Sequence, residues 1–261
     1  MVQVKALVLR AAGINCDLET DNALEMAGAS VSRLHINEII RDKSVLEENQ
    51  ILVFPGGFSY GDDIAAGKIL ANQIRHHLYD RVQDFIAAGK LVLGICNGFQ
   101  VLVKSGILPG IAGAGKEPLV TITHNDIPRF YDNWVYLQPG TDKCVFLDKD
   151  RRIYLPMAHG EGKVVTKDAE TLAVLQKAGH IALRYVDADG NSGGYPVNPN
   201  GATDDIAGFT DSTGRVLGLM PHPERFVRRT QHPQWTRLPE DITADGMTIF
   251  NNAVSYVKSN L

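Results

Sequence analysis

The sequence predicts an α/β protein with a mostly parallel, doubly wound sheet and flanking helices. Two observations support this fold class. Short apolar runs alternate with stretches of helical periodicity, a pattern typical of a parallel sheet covered by helices on both faces. With 261 residues, of which 44% are hydrophobic, the chain is long enough to bury the core that such a sheet needs.

The first half of the chain is predicted to alternate strands and helices. Four apolar runs, at residues 4–9, 31–36, 51–54 and 91–93, are predicted strands. Residues 17–26 are predicted as a short helix ended by Gly28. Residues 64–88, where apolar side chains recur every three or four positions, are predicted as a long helix ended by Gly89.

After Pro109 the pattern changes. Short β-like segments at residues 119–122, 134–137 and 153–157 are separated by Gly, Pro, Asn and Asp, which indicates a mixed β insertion after the preceding helix. Strands follow at 181–186 and 216–220, and a last helix at 245–256. Because no internal repeat or low-complexity linker is present, we expect one domain over residues 1–261.

The composition excludes several classes of function. The formal net charge is −4, the pI is near 6.1, and no basic stripe indicates a nucleic-acid surface. No stretch approaches the roughly 20 apolar residues of a membrane-spanning helix. Cys16, Cys96 and Cys144 form no C-x-x-C pair, so neither a disulfide framework nor a metal site is expected. A cytoplasmic protein with reduced thiols fits this cysteine content best.

The most informative motif is G-x-C-x-G at residues 94–98, between a predicted strand and a predicted helix. A side chain on such an elbow projects from the carboxyl end of a sheet, and the glycines allow the sharp turn. The helix N-terminus that follows favours the thiolate of Cys96 over the thiol. A buried cysteine alone is more often a small core residue, so the motif needs partners elsewhere in the chain.

The segment His222-Pro223-Glu224, just beyond a predicted strand, supplies a candidate base and its orienting carboxylate. Each proline favours an extended residue before it, so His222 and Glu224 are expected on the same side of the chain. A carboxylate beside an imidazole fixes its tautomer and stabilises the imidazolium. A histidine between prolines is more often an ordinary loop residue, and only its joint occurrence with the Cys96 elbow favours a catalytic triad of Cys96, His222 and Glu224.

An oxyanion site is predicted from two backbone N–H groups. Asn97 directly follows the candidate nucleophile, and Gly57 lies in a glycine turn after the strand at 51–54. The sequence contains no phosphate-binding G-x-x-x-x-G-K-[ST] loop, no G-x-S-x-G and no H-E-x-x-H motif. We therefore expect no cofactor and no ATP on this chain.

In this order and spacing the motifs resemble those of class I (triad) glutamine amidotransferases, whose fold is flavodoxin-like. Within that class the chain is most similar to the PurQ family, the glutaminase subunits of phosphoribosylformylglycinamidine synthase in the fourth step of purine biosynthesis. The matching stretches are 13–17, 54–62, 94–100, 129–130, 134–135, 158–163, 195–201 and 220–225. Two features depart from the family pattern: Ala11-Ala12 replaces an expected Phe-Pro, and segment 228–241 is longer than in compact stand-alone subunits.

The resemblance implies a reaction and partners. Cys96 attacks the side-chain amide of glutamine, a thioester is hydrolysed to glutamate, and ammonia passes to the synthase subunit PurL, with the small subunit PurS as a further partner. ATP and Mg²⁺ are expected on the synthase subunit.

The resemblance also implies roles around the triad. Gln100 is a weaker candidate for holding the backbone of the substrate glutamine. Phe58 is a candidate for the pocket wall or, equally, for a core aromatic. For His159 and Glu161, ordering a loop or contacting a partner is favoured over acid–base chemistry.

Two other functions remain open. One is a stand-alone cysteine hydrolase of the same fold that acts on γ-glutamyl or other amide substrates. The other is a regulatory or scaffold protein without catalysis, which the presence of all three triad residues disfavours. Dependence of glutaminase activity on a synthase partner distinguishes the first from a synthase subunit.

Overall fold

The computed structural model describes residues 3–111 and 118–261. The strands are β1 (Lys5–Arg10), β2 (Ser30–His35), β3 (Ile51–Phe54), β4 (Leu91–Ile95), β5 (Val120–Thr123), β6 (Tyr131–Pro139), β7 (Ile153–His159), β8 (Lys163–Thr166), β9 (Ile181–Val186), β10 (Ile206–Thr210) and β11 (Val216–Leu219). The helices are α1 (Asp17–Met26), α2 (Ile36–Arg41), α3 (Lys68–Gln73), α4 (Tyr79–Ala87), α5 (Asn97–Ser105), α6 (Ala169–Lys177) and α7 (Gly246–Asn260). Among these residues no helix has the length and apolar character needed to cross a membrane.

Nine strands form one sheet in the order β2-β1-β3-β4-β11-β10-β9-β6-β7. The pairs from β2 to β11 are parallel, and the pairs from β11 to β7 are antiparallel. Strands β5 and β8 form a separate antiparallel pair. The predicted α/β fold class is confirmed, and most of the β segments expected as an insertion extend the main sheet.

The central strands are buried on both faces. Every residue of β3, β4 and β11 is buried, which explains why these strands appear in the sequence as continuous apolar runs. Alternating residues of a strand point to opposite faces, so this burial requires cover on both sides of the sheet. Helix α1 packs against α7, and α5 packs against α3 as well as against β3, β4 and β11.

Three glycines allow α5 to approach the sheet closely. Gly94 in β4 and Gly218 in β11 are register partners, and a Cβ on either would collide with a side chain of α5, Leu102 or Phe99. A Cβ on Gly98 would collide with the backbone carbonyl of Phe54. The glycines of the elbow motif are therefore required by helix–sheet packing as well as by the turn.

The long helix predicted at 64–88 begins later and is not uniform. It starts with α3 at Lys68, because Gly67 before it is in the left-handed region at φ 71° and donates its N–H to Asp62. Between α3 and α4, residues Ile74–Leu78 form a π-helical turn. The prediction that the helix starts at residue 64 was wrong.

The segment 228–241 folds against the antiparallel strands. It contains two short 3-10 helices, Arg229–Gln231 and Trp235–Arg237. The ring of His232 lies 5.0 Å from that of Trp134 and 5.7 Å from that of Tyr154, centroid to centroid. Aromatic packing of this kind fixes the position of the segment.

Candidate active site

Cys96 lies on a strained elbow between β4 and α5. Its φ is 50° and its ψ is −105°, a conformation that a residue with a Cβ rarely adopts and that costs on the order of 1–3 kcal/mol. The Cys96 N–H donates to the Leu219 carbonyl at 2.8 Å, and the Gln100 N–H donates to the Cys96 carbonyl at 3.1 Å. The thiol is therefore held at the N-terminus of a nine-residue helix, as the motif predicts.

The topology brings the predicted site residues to one edge of the sheet. Strands β1, β3, β4 and β11 are neighbouring and parallel, so their carboxyl ends meet there. Cys96 directly follows β4, while His222 and Gly57 lie shortly after the ends of β11 and β3. Residues far apart in the sequence thereby line one cavity of about 320 Å³.

His222 and Glu224 form a buried pair. The Nδ1 of His222 is 2.7 Å from Oε1 of Glu224, and the two side chains are 2% and 0% exposed. The His222 N–H donates to the Pro156 carbonyl at 2.7 Å, which fixes the backbone beside β7. Burial lowers the pKa of His222, but the charges of Glu224 and Cys96 raise it more, so the pKa lies well above its ordinary value.

The Nε2 of His222 is buried and has no hydrogen-bond partner among the described residues. Cys96 lines the same cavity as His222, and the Cys96 sulfur is 3.8 Å from the Ala158 carbonyl oxygen. The arrangement provides a thiol, an imidazole with an unoccupied nitrogen, and a carboxylate behind the ring. This is the set of groups required for nucleophilic attack by cysteine.

The two predicted oxyanion donors lie at turns next to the thiol. Gly57 has φ 141° and lines the cavity, and a Cβ there would approach the Asn15 nitrogen to 2.7 Å. An isolated bridge between Ile14 and Gly57 holds this turn against the first loop. Within residues 3–111 and 118–261, the backbone N–H groups of Gly57 and Asn97 donate to no other residue. Both groups therefore stay predicted oxyanion donors.

The side chain of Asn97 connects three neighbouring residues through hydrogen bonds. It accepts the Ser59 N–H at 3.3 Å and donates to Asp62 at 3.1 Å and to the side-chain amide oxygen Oε1 of Gln100 at 3.2 Å. Gln100 lines the cavity, and its amide nitrogen donates to the Glu161 carbonyl, so both ends of this amide are paired. Its predicted role in substrate binding stays a prediction.

Phe58 is 45% exposed and lines the cavity, so it is not a core aromatic. Its ring lies 6.2 Å from that of Phe130, which also lines the cavity. Glu161 accepts the Ala66 N–H at 3.2 Å and lies 3.9 Å from Lys104. These contacts indicate that Glu161 orders the loop that closes one side of the cavity.

Sequence reasoning missed Cys16, which lies beside the His222–Glu224 pair. One ligand-type atom from each of Cys16, His222 and Glu224 lies within 4.8 Å of the others. Arg225 donates to the Cys16 sulfur at 3.1 Å. Burial raises the pKa of Cys16, and the neighbouring His222 ring opposes this shift. The available signal was the position of Cys16 after β1, a strand that ends at the same edge.

A second buried histidine, His159, also lines the cavity and has a defined tautomer. The Asn125 side chain donates from Nδ2 to the His159 carbonyl and accepts the Gly162 N–H at Oδ1, each at 2.9 Å, so its orientation is fixed. Because Nδ1 of His159 is 3.1 Å from that Oδ1, Nδ1 carries the proton. The Nε2 lone pair of His159 has no partner among the residues described. The side chain of His159 is buried, so it presents little surface to a partner.

We expect His159 to make folding stability depend on pH in the acidic range. Burial, with a smaller effect from the charge of His222, lowers the pKa of His159 to about 3. Below its ordinary pKa the unfolded chain therefore binds a proton that the folded chain does not. The stabilisation is complete above about pH 6.5 and is lost toward about pH 3, at up to about 1.4 kcal/mol per pH unit.

The measurement is the free energy of unfolding in urea between about pH 7 and about pH 4. His159→Asn should flatten its slope relative to the wild type, whereas His76→Asn, at an exposed position, should not. An unchanged slope in His159→Asn would contradict the assignment. His222 does not interfere, because a raised pKa affects stability only as the pH rises above the ordinary value.

Comparison with known proteins defines the class. The chain matches the CobB/CobQ-like glutamine amidotransferase domain over residues 3–257 and belongs to this family. The expected class of enzyme, a glutamine amidotransferase, is thereby confirmed.

Individual relatives are similar over nearly the whole chain. The phosphoribosylformylglycinamidine synthase subunit PurQ of Dehalococcoides mccartyi is 46% identical over 260 residues, which cover 99% of each chain. The subunit PurQ of Methanococcus maripaludis is 40% identical over 264 residues, covering 97% of each chain. A chain in the structure of PurLQS from Thermotoga maritima has a TM-score of 0.74 and 30% identity, with 98% of this chain and 100% of that chain covered.

Proposed function

We propose that this chain is the glutaminase subunit of a phosphoribosylformylglycinamidine synthase. The observation that carries the proposal is the strained Cys96 elbow, which opens into the same cavity as the buried His222–Glu224 pair. The near full-length similarity to PurQ subunits supports the substrate and pathway.

The proposed reaction begins with attack of the Cys96 sulfur on the side-chain amide carbon of glutamine. His222 takes the thiol proton, and the N–H groups of Gly57 and Asn97 hold the negative charge that develops on the amide oxygen. As the C–N bond breaks, His222 gives its proton to the amide nitrogen, which leaves as ammonia. Water then hydrolyses the γ-glutamyl thioester to glutamate and restores the thiol.

Glu224 acts through His222. Its carboxylate accepts the Nδ1 proton, so the unpartnered Nε2 is the nitrogen available to the thiol. The raised pKa of His222 stabilises the imidazolium form that must later protonate the leaving amide nitrogen. We assign Phe58 to the wall of the glutamine pocket and Gln100 to the loop beside it, where it stays a weaker candidate for contact with substrate.

The product ammonia passes to a synthase subunit of the PurL type, and a small PurS subunit completes the complex. The synthase structure from Thermotoga maritima, described as PurLQS, supports this assembly. ATP and Mg²⁺ belong to the synthase partner in this proposal, where ATP activates the amide oxygen of the ribonucleotide. A cytoplasmic location accords with three free cysteines, one of them a nucleophile.

The test is co-purification of the tagged full chain with PurL and PurS subunits from the same genome, followed by glutaminase assays. We expect glutamate release to rise at least about tenfold when the synthase subunits are present, because the synthase completes the site that commits the substrate. Full activity of the isolated chain on γ-glutamyl peptides, with no response to the synthase subunits, would instead support a stand-alone cysteine hydrolase.

A further inference from the structure

Cys16, His222 and Glu224 form a compact group of metal-ligating side chains within the proposed active site. We propose that this group binds a thiophilic divalent cation such as Zn²⁺, and that the bound cation switches off the glutaminase. The binding step stands on the geometry alone, whereas the inhibitory consequence rests on the proposed function. A cysteine, a histidine and a carboxylate are all ordinary ligands of zinc.

The distances suit one small cation. One ligand-type atom of each residue lies within 4.8 Å of the others. Nδ1 of His222 and Oε1 of Glu224 are 2.7 Å apart. Ligands bound at about 2.0–2.3 Å in a tetrahedral site lie roughly 3.3–3.5 Å from each other. Small side-chain shifts therefore convert the observed arrangement into a coordination site.

Gly56 creates the space in which the sulfur and the ring meet. A Cβ at this position would lie 3.2 Å from the Cys16 sulfur, 3.3 Å from Nδ1 of His222 and 2.8 Å from Cε1 of the same ring. The Cys16 sulfur and the Nδ1–Cε1 edge of the ring therefore both border the space that Gly56 leaves open. A Cβ at Gly56 would occupy this space.

A second observation points to a missing partner. The Oε2 atom of Glu224 is buried and has no hydrogen-bond partner among the described residues. Buried carboxylate oxygens are normally paired, and a cation would satisfy this one. Cys16 and His222 both line the cavity of about 320 Å³, which gives a cation access from solvent.

Arg225 is the group that a cation would displace. Its Nη2 donates to the Cys16 sulfur at 3.1 Å, so the sulfur already accepts a positively charged neighbour. The same guanidinium lies 3.2 Å from Glu19, and the Arg225 side chain is partly exposed. Movement toward Glu19 would keep the guanidinium paired while its place at the sulfur is taken.

Coordination at Nδ1 removes the catalytic base. The Cys16 thiol proton leaves to solvent as the sulfur binds, and the ring proton that Nδ1 held is carried on Nε2 instead. A ring coordinated at Nδ1 keeps its remaining proton on Nε2, so Nε2 has no lone pair to accept the Cys96 proton. Glutamine hydrolysis therefore stops, while a synthase partner supplied with free ammonia is unaffected.

Zinc binding is tested on the full chain carrying Cys96→Ser, which leaves the three proposed ligands intact. Titration against a chromophoric chelator should show one Zn²⁺ per chain. Adding Cys16→Ser should weaken zinc binding at least about tenfold. Removing a group that only hydrogen-bonds to a metal ligand already lowers metal affinity by about that factor, and Cys16 is proposed as a ligand itself. Adding Cys144→Ser, a buried cysteine that does not line the cavity, should leave the affinity unchanged.

Cobalt(II) gives an independent readout, because a thiolate ligand produces a sulfur-to-cobalt absorption band. The band should appear with Cys96→Ser and disappear with the added Cys16→Ser. No zinc binding by Cys96→Ser, or equal binding with and without Cys16, would overturn the proposal. In the assembled synthase, Zn²⁺ should inhibit glutamine-dependent but not ammonia-dependent synthesis, reversibly on chelation. If the chain lacks glutaminase activity, the proposed function fails, and the titration still decides the metal site.

Discussion

Replacing Cys96 with alanine is expected to abolish glutamine-dependent synthesis by the assembled complex. Without the sulfur no thioester forms, and neither His222 nor water replaces it as a nucleophile. Because the nucleophile and its base work together, removing the nucleophile is expected to lower kcat at least about 10³-fold. The measurement is glutamate release and product formation with glutamine as the nitrogen source.

Two comparisons make this result specific. The same Cys96→Ala complex should keep its synthase activity when ammonia replaces glutamine, because ATP chemistry is assigned to the partner. Cys144→Ala, which removes a buried thiol outside the cavity, should retain glutamine-dependent synthesis. Wild-type glutamate release from the Cys96→Ala complex would show that Cys96 is not the nucleophile.

Replacing Glu224 with glutamine is expected to lower the glutamine-dependent kcat/KM by about 10²–10⁴-fold, as for neutralised orienting carboxylates in related triads. The change preserves shape but removes the charge 2.7 Å from Nδ1 of His222. Since that charge raises the pKa of His222, the pH profile of kcat/KM should also shift to lower pH. A merely structural role for Glu224 would reduce the rate without moving the profile.

The matched control for this change is Glu19→Gln. Glu19 is an exposed acidic residue that pairs with Arg225 and does not line the cavity. It should leave the pH profile in place. An unshifted profile in Glu224→Gln, or the same shift in both variants, would argue against the assigned partner of the base.

Local sequence signals were sufficient to predict the bounds of elements that have clear end signals or that are completely buried. The strand at Ile51–Phe54 and the helix at Asp17–Met26 were predicted with the observed bounds, because a continuous apolar run and a glycine end leave little choice. Helix α6 was missed, although Asp168 caps it by accepting the Thr171 N–H at 2.7 Å. Strand β10 was missed because it lies within a polar, glycine-rich part of the sequence.

Only part of the candidate active site could be predicted from the sequence. Cys96, His222 and Glu224 stand in short motifs whose residue types indicate chemistry. Cys16 and His159 lie in stretches that match the family, but the motifs do not indicate their place beside the ring, because it depends on which strands end at the same edge and on how β7 returns to it. That information is a property of the whole topology. The start of α3 was misplaced because only the conformation of Gly67 sets it.

The hydrogen bond between the His222 N–H and the Pro156 carbonyl connects two distant parts of the sheet. Strand β7 is the last strand in the sheet order, separated from β11 by three others, yet its backbone supports the residue that bears the imidazole. The sheet must therefore be twisted strongly enough to bring the outer strand β7 next to the residues that follow the central strand β11. The position of the imidazole therefore depends on how this outer strand is held as well as on the end of β11.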